Sequence, residues 1–298
     1  MRVCGQEVKV QGSLIRIARL EADGYYFLDN AEAFVNGLRQ CNARIDLFTF
    51  MQKLPETTSK YAYPMEWDNF AAVHVSTFDH WWTQQIEPEV RRKVRKAEKK
   101  GVMVREVAFG DDLVKGIWEI YNEHPIRQGK PFIHYGKDIE TVEKEAGTFR
   151  DSSIFIGAFL GDTLIGFIKL IIFKNQSQAN TMQVISMIKH RDKAPTNALL
   201  AHAVRSCAER GIPYLVYSRF SYGKKQRDSL SDFKQHNGFQ RIVAPRYYVP
   251  LTYLGRAAFR LGLHHRFVDR LPESVVGRIR ELRNAWYNRK FQAVKESA

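Results

Sequence analysis

The chain has 298 residues, room for one large domain or two modest ones with a hydrophobic core. A composition of 44% hydrophobic, 12% aromatic and 26% charged residues is ordinary globular usage and excludes a disordered tail or a fibre. Lys+Arg number 46 against 32 Asp+Glu, and the resulting +14 predicts contact with something anionic.

In chain order, Asn30 is placed to cap a helix through Ala33, Phe34 and Leu38, and Arg44 to Phe50 alternates polar with apolar residues as a strand does. Pro55 to Pro64 reads as a loop and Ala71 to Ser76 as a second strand, so residues 1–90 form a short α/β region. Pro88 suits the first turn of a helix, Glu89 its positive end, and Ile86, Val90, Val94 and Ala97 its buried stripe; Gly101 stops it. Val102 to Val107 is a strand, and Asp111 or Asp112 is expected to cap a helix with Leu113, Ile117 and Tyr121 inward. Glu123 to Lys137, with two prolines and two glycines, is a long loop.

A helix near 138–148 precedes a hairpin, Ser153 to Phe173, turning at Gly161-Asp162. Ala179 to Lys189 is a further strand. Pro195 opens an amphipathic helix to Arg210, with Asp192 as its expected cap and Gly211 as its stop. Ile212 to Ser218 is a buried-type strand, Asp228 to Asn237 a short helix closed by Gly238, and Phe239 to Pro250 the last strand. Strands interleaved with helices predict an α/β fold with a mixed sheet, hairpins giving antiparallel pairs and crossovers parallel ones.

No run of 18 apolar residues occurs, and Leu164 to Phe173, the longest greasy stretch, is broken by Lys169, so no membrane span is expected. The N-terminus lacks a signal-sequence pattern, which predicts a cytoplasmic protein. Cys4, Cys41 and Cys207 form no CxxC pair, Cys207 reading as core, and the nine histidines show no ligand spacing; no metal site is expected.

The element order from residue 102, with a long helix after the fourth strand and a short helix ending in Phe233-Lys234-Gln235-His236-Asn237-Gly238-Phe239, resembles the GNAT acyltransferase fold. The basic helix Arg91-Arg92-Lys93-Val94-Arg95-Lys96-Ala97-Glu98-Lys99-Lys100 just before the first strand narrows the resemblance to the FemAB-like branch, over about residues 85–250. The resemblance implies a GNAT-like mixed sheet with helices on both faces. Residues 1–90 read as a shortened first GNAT unit, 91–250 as the acyltransferase domain and 251–298 as a basic helical extension.

It further implies transfer of an acyl or aminoacyl group to an amine, with acyl-CoA or aminoacyl-tRNA as donor, entering where the strands at 179–189 and 212–218 splay. CoA-dependent members usually carry a glycine-rich pyrophosphate loop; here the matching stretch, Lys189 to Asn197, has no glycine. Arg191, Lys193, Thr196 and Asn197 are the donor-binding candidates there, at a helix N-terminus that suits an anion. The tyrosine often used as general acid is replaced by Lys234.

The loop from Glu123 to Lys137 is the candidate acceptor site. Arg127, Gln128 and Lys130 suit a phosphate or carboxylate, with Tyr135 beside them, and Glu123 or His134 is a candidate proton acceptor. At the end of the 212–218 strand, Tyr217 is a catalytic and Arg219 a substrate-binding candidate, since ligands meet open α/β sheets at such ends.

The charge excess is uneven: net −4 over residues 1–90, +7 over 91–105, +5 over 106–253 and +6 over 254–298. In the last segment Leu254, Phe259, Leu263, Phe267, Trp286, Tyr287 and Phe291 interleave with basic residues, a pattern for an anionic membrane surface or a nucleic acid. Two readings stand. One is an N-acyltransferase acting on a small-molecule or cell-envelope-precursor amine, docking tRNA or the inner membrane face through its basic segments. The other is a non-catalytic GNAT-like module binding RNA or anionic lipid.

Overall fold

The computed structural model describes residues 1–173, 177–221, 229–265 and 278. Its strands are β1 (Arg2–Val3), β2 (Gln6–Gln11), β3 (Ile17–Leu20), β4 (Leu47–Met51), β5 (Met65–His74), β6 (Val102–Val107), β7 (Ile126–Arg127), β8 (Lys130–Pro131), β9 (Ser153–Leu160), β10 (Thr163–Ile171), β11 (Gln178–Ser186), β12 (Tyr214–Val216) and β13 (Gln240–Pro250). The helices are α1 (Ala31–Arg39), α2 (Phe78–His80), α3 (Pro88–Lys99), α4 (Asp111–Asn122), α5 (Ile139–Ala146), α6 (Pro195–Glu209), α7 (Ser229–His236) and α8 (Tyr253–Arg260). All the strands except β7 and β8 join one sheet, in the order β1-β2-β3-β4-β13-β5-β12-β11-β10-β9-β6.

Two pairs in that sheet are parallel, β3 with β4 and β11 with β12, and each is bridged by a helix, α1 and α6. The strand–helix–strand unit of the second half thus has a smaller counterpart in the first. β13 lies between β4 and β5 and pairs antiparallel with both, so one long strand joins residues 47–51 to the sheet of the second half. The largest core lies under β9, β10, α3, α4 and α6, a second around α1 and β4, and a small third beneath β5, β12 and β13.

The central hairpin shows how sequence sets the faces. β10 is buried throughout after its first residue, Lys169 included. Successive side chains alternate across a sheet. Gly166 faces α6, where an added Cβ would sit 3.1 Å from Leu199, while Lys169 reaches the opposite face and donates to the Ala146 carbonyl at 2.7 Å. Helices α4 and α5 therefore cover one face and α3 and α6 the other. α3 buries its Val90–Val94–Ala97 stripe as expected, with Pro88 in its first turn and Gly101 at φ +78° after it.

Some boundaries differ from expectation. The first ninety residues hold five strands rather than two, because β1 and β3 are too short to show a period and the exposed polar residues of β2 hide its pattern. β5 begins at Met65, six residues earlier than read. Gly110, not Asp111 or Asp112, is the N-cap of α4, and the two aspartates lie in its first turn. Ala194, at φ +52°, caps α6 without a side-chain bond, so Asp192 is not its cap. Cys207 is fully buried, and its thiol is pushed up to about 12 by that burial. Among the described residues no helix is long and apolar enough to cross a membrane.

Candidate functional site

The parallel ladder between β11 and β12 is only three residues long, Gln178–Asn180 against Tyr214–Val216. Beyond it the strands part. β11 continues through Ser186 paired with β10, whereas the chain leaving β12 stays with β5, its other neighbour: the Tyr217 amide donates to the Ala71 carbonyl at 2.7 Å, and the Ala71 amide to the Ser218 carbonyl at 2.9 Å. The gap where the parallel order fails, with residues 181–186 on one side and 217–219 on the other, is the candidate cleft. This is the position expected for the donor.

One wall is fastened to the loop after α4. The Glu123 carboxylate accepts from the backbone amides of Ile188 (2.6 Å) and Lys189 (2.8 Å) and from the Arg127 guanidinium (3.2 Å). Arg127 also donates to the carbonyls of Ser186 (2.7 Å) and Ile120 (2.8 Å), and lies 4.6 Å over the Phe132 ring. Burial lowers the Arg127 pKa, partly offset by Glu123. The pair thus ties the loop to the end of β11. The loop's tip folds into the small hairpin of β7 and β8, and Gln128, Lys130 and Tyr135 are exposed there, apart from that clamp.

His134 packs against Tyr121, ring centroids 4.3 Å apart, and the Tyr121 hydroxyl accepts from the Gln183 amide on β11 at 2.8 Å. Burial, then the Lys137 ammonium, lowers the His134 pKa, with Glu145 opposing. Burial and Lys137 both favour the neutral imidazole, and a stacked ring joins it to the cleft wall.

The turn from Ile188 to Lys193 leads into α6. Its first two amides are held by Glu123, those of Ala194 and Asn197 close local turns, and Pro195 has none. Thr196 bonds Ser186 through its hydroxyl (2.9 Å), and the buried Asn197 amide donates to Asn237 at 3.1 Å. Arg191 is exposed, and Lys193 pairs with Asp192 at 3.4 Å. The stretch thus offers anions side-chain charge more than a cradle of amides.

On the other wall, Lys234 is fully buried beneath the segment leaving β12. Its ammonium donates to the Arg219 carbonyl and lies 4.9 Å from the centre of the Tyr217 ring. Tyr217 also meets Phe239 edge-on at 5.7 Å. Arg219 pairs with Asp68 at 2.7 Å, and Asp68 with the buried Arg246 at 3.1 Å, which reaches Asp23. Asn69 holds the amides of Phe220 and Ser221, so two side chains of β5 fix this wall.

The structure therefore brings the candidates together in two groups. Glu123, Arg127 and Thr196 meet at the end of β11, and Tyr217, Arg219 and Lys234 at the end of β12. Asn197 and Asn237 join α6 to the chain after α7. Gln183 and Asp68 had no signal in the sequence, since each is one polar residue in an ordinary strand, and Asn237 stood only as part of the Phe233–Phe239 ending. Lys169 had one, as the only charge in an apolar run. It spans the end of α5, donating to the Ala146 carbonyl and to the Thr148 carbonyl and hydroxyl, and burial lowers it to about 8.

Beside the cleft, α3 packs on α6 and touches the Ile188–Lys193 turn. Arg91 is spent on the carbonyls of Trp82 and Ile86, and Lys93 pairs with Glu89. Arg92, Arg95, Lys96, Lys99 and Lys100 instead surround a surface pocket of about 340 Å³. Of the C-terminal aromatics, Phe259 packs against Tyr248, while Phe267, Trp286, Tyr287 and Phe291 lie outside the described residues.

No protein-family model and no curated protein matches the sequence. Solved structures do match. A structure assigned as the C-terminal domain of a lysylphosphatidylglycerol synthetase from Agrobacterium fabrum superposes with TM-score 0.55 at 13% identity, over 85% of this chain and 82% of that one. L-PGS from Bacillus licheniformis gives 0.56 at 12% identity over 85% and 83%, and FemX 0.50 at 13% over 80% and 72%. At such identities the likeness establishes the fold alone, a large mixed sheet shared with those three proteins.

Proposed function

We propose that the chain is an acyltransferase-type enzyme that moves an acyl or aminoacyl group onto an amine, and that the donor is an aminoacyl ester of RNA rather than acyl-CoA. The observation that carries this is the cleft between β11 and β12, with a buried lysine behind one wall and a basic helix beside its mouth. A similar fold in proteins named lysylphosphatidylglycerol synthetase and FemX supports a transferase. The missing glycine loop, and the use of the Ile188 and Lys189 amides by Glu123, disfavour a pyrophosphate cradle.

In this reading the donor carbonyl lies along the outer edge of residues 181–186. The amine nitrogen bonds to the carbonyl carbon, the ester C–O bond breaks, one amine proton passes to His134, and the leaving oxygen takes a proton from Tyr217. Lys234 holds positive charge near the developing oxyanion, where low polarity makes it effective. Glu123 and Arg127 position the loop, leaving Gln128, Lys130 and Tyr135 to meet an anionic acceptor. Arg191, Lys193 and the free face of α3 take RNA phosphates, and residues 1–90 act as a shortened first GNAT unit. Association with the inner membrane face belongs to the same reading, through residues 254–298.

The test is incubation with charged tRNA or acetyl-CoA and a panel of amines. Donor consumption is expected with charged tRNA, falling about 100-fold or more in Lys234→Met that remains folded by circular dichroism. Consumption of acetyl-CoA alone would move the donor to CoA. Binding of RNA without turnover of either donor would favour the non-catalytic module.

A further inference from the structure

A second cluster of functional groups lies away from the cleft, where the chain returns to β5 after α8. His264 and His265 each place Nε2 3.0 Å from the same oxygen, Oε1 of Glu66. The three donor atoms all fall within 4.8 Å of one another. From these groups we infer a binding site for a divalent transition-metal ion of the zinc type, with Glu66, His264 and His265 as its three protein ligands.

The local fold builds this arrangement rather than leaving it to chance. The Thr252 hydroxyl caps α8 by accepting from the Gly255 amide and donates to the Asp46 carboxylate at 2.8 Å. Gly255 lies so close to the Asp46 backbone that an added Cβ would be 1.7 Å from its carbonyl oxygen, which seats α8 against the sheet end. The Leu263 amide closes on the Ala258 carbonyl, and Gly262 takes φ +63°, so the chain turns back at once. The His264 ring is then held between Phe259 (centroids 5.0 Å) and Tyr248 (4.5 Å), with its side chain 1% exposed. His265 and Glu66 remain open to solvent, which gives an ion its route in.

The chemistry selects the kind of ion. Two imidazoles and one carboxylate suit zinc and its neighbours, whereas calcium and magnesium want mostly oxygen ligands. Zinc–nitrogen and zinc–oxygen bonds of about 2.0–2.1 Å put tetrahedral ligand atoms roughly 3.3 Å apart. Both nitrogen–oxygen distances are already 3.0 Å and the three donors lie within 4.8 Å of one another, so closing them on an ion takes side-chain adjustment of an ångström or so, about the difference from that spacing. To bind, each imidazole must free the Nε2 electron pair and carry its proton on Nδ1. His264 Nδ1 is buried and makes no hydrogen bond among the described residues, so none has to be broken there. Three ligands leave a coordination position for water. The ion would clip together parts of the chain 198 residues apart. Glu66 is two residues before Asp68 on the same face of β5, and Asp68 holds Arg219 at the cleft wall, so the clip also stiffens that strand.

The experiment is calorimetric titration of the full chain, freed of metal with a chelator, with ZnCl2. One ion per chain is expected. At about 100-fold excess over the dissociation constant the melting temperature should rise by roughly 4 °C. Glu66→Gln and His265→Ala, both at solvent-open positions, should each weaken binding at least 10-fold, while His80→Ala leaves it unchanged. Cobalt(II) should give the intense visible bands of a tetrahedral site, lost in His265→Ala. Absence of one-to-one binding in the wild type would overturn the assignment, as would binding that neither Glu66→Gln nor His265→Ala alters.

Discussion

Glu123→Gln separates a positioning role from a catalytic one. The carboxylate accepts two backbone amides, at 2.6 and 2.8 Å, and the Arg127 guanidinium at 3.2 Å. An amide in its place keeps one acceptor oxygen and turns an NH2 group toward the other donors. Hydrogen bonds to a charged group contribute about 1.5–3 kcal/mol each, and the substitution loses at least one of the three and weakens the rest. It also leaves Arg127, only 15% exposed, without its counter-ion. A destabilisation of about 3 kcal/mol is expected by urea titration. Arg127→Met should cost about 2 kcal/mol, and the double variant less than the sum, with a coupling of about 1–2 kcal/mol. Activity should fall through misplacement of the loop, with the shape of the pH profile kept. A loss below 0.5 kcal/mol together with collapse of turnover would refute the clamp and make Glu123 the proton acceptor.

Two further outcomes test other parts of the molecule. The Lys169 ammonium is held at about 8 against an ordinary 10.5, so the native state releases this proton first. Between those values the unfolded chain binds more protons, and stability rises with pH. Relative to Lys169→Met, the wild type should gain on the order of 3 kcal/mol from pH 8 to 10.5; parallel denaturation curves for the two would show the shift to be absent. RNA affinity should fall steeply with salt, and Lys96→Ala/Lys99→Ala/Lys100→Ala should flatten the log–log slope by about 2–3. An unchanged slope would remove α3 from the interface.

Most of the second half was legible because its signals are local. Pro88 and Gly101 bound α3, Gly161-Asp162 turns the hairpin, Pro195 and Gly211 bound α6, and apolar residues fill both faces of β10. Even the parallel pair at the cleft followed from one helical crossover. β1 to β3 escaped because β1 and β3 are only two and four residues long and β2 exposes polar residues on both faces. The site was harder to read, since its order comes from pairings across long separations. Glu123 meets amides 65 and 66 residues on, and Asp68 meets Arg246 178 residues on. Residue type marked Glu123 and Arg127 as reactive, but only the backbone amides of Ile188 and Lys189 reveal them as a clamp. Glu66, His264 and His265 show no ligand spacing, because the turn after α8, and not the sequence interval, brings them together.

The cleft is the central claim, and amide hydrogen exchange tests it directly. With a stable amide-linked analogue of aminoacyl-RNA added, residues 181–186 and 217–219 should slow together, because a donor seated between the parted strands shields both walls. Slowing confined to α3, with those segments unchanged, would mean that RNA docks on the basic helix and no donor enters the cleft.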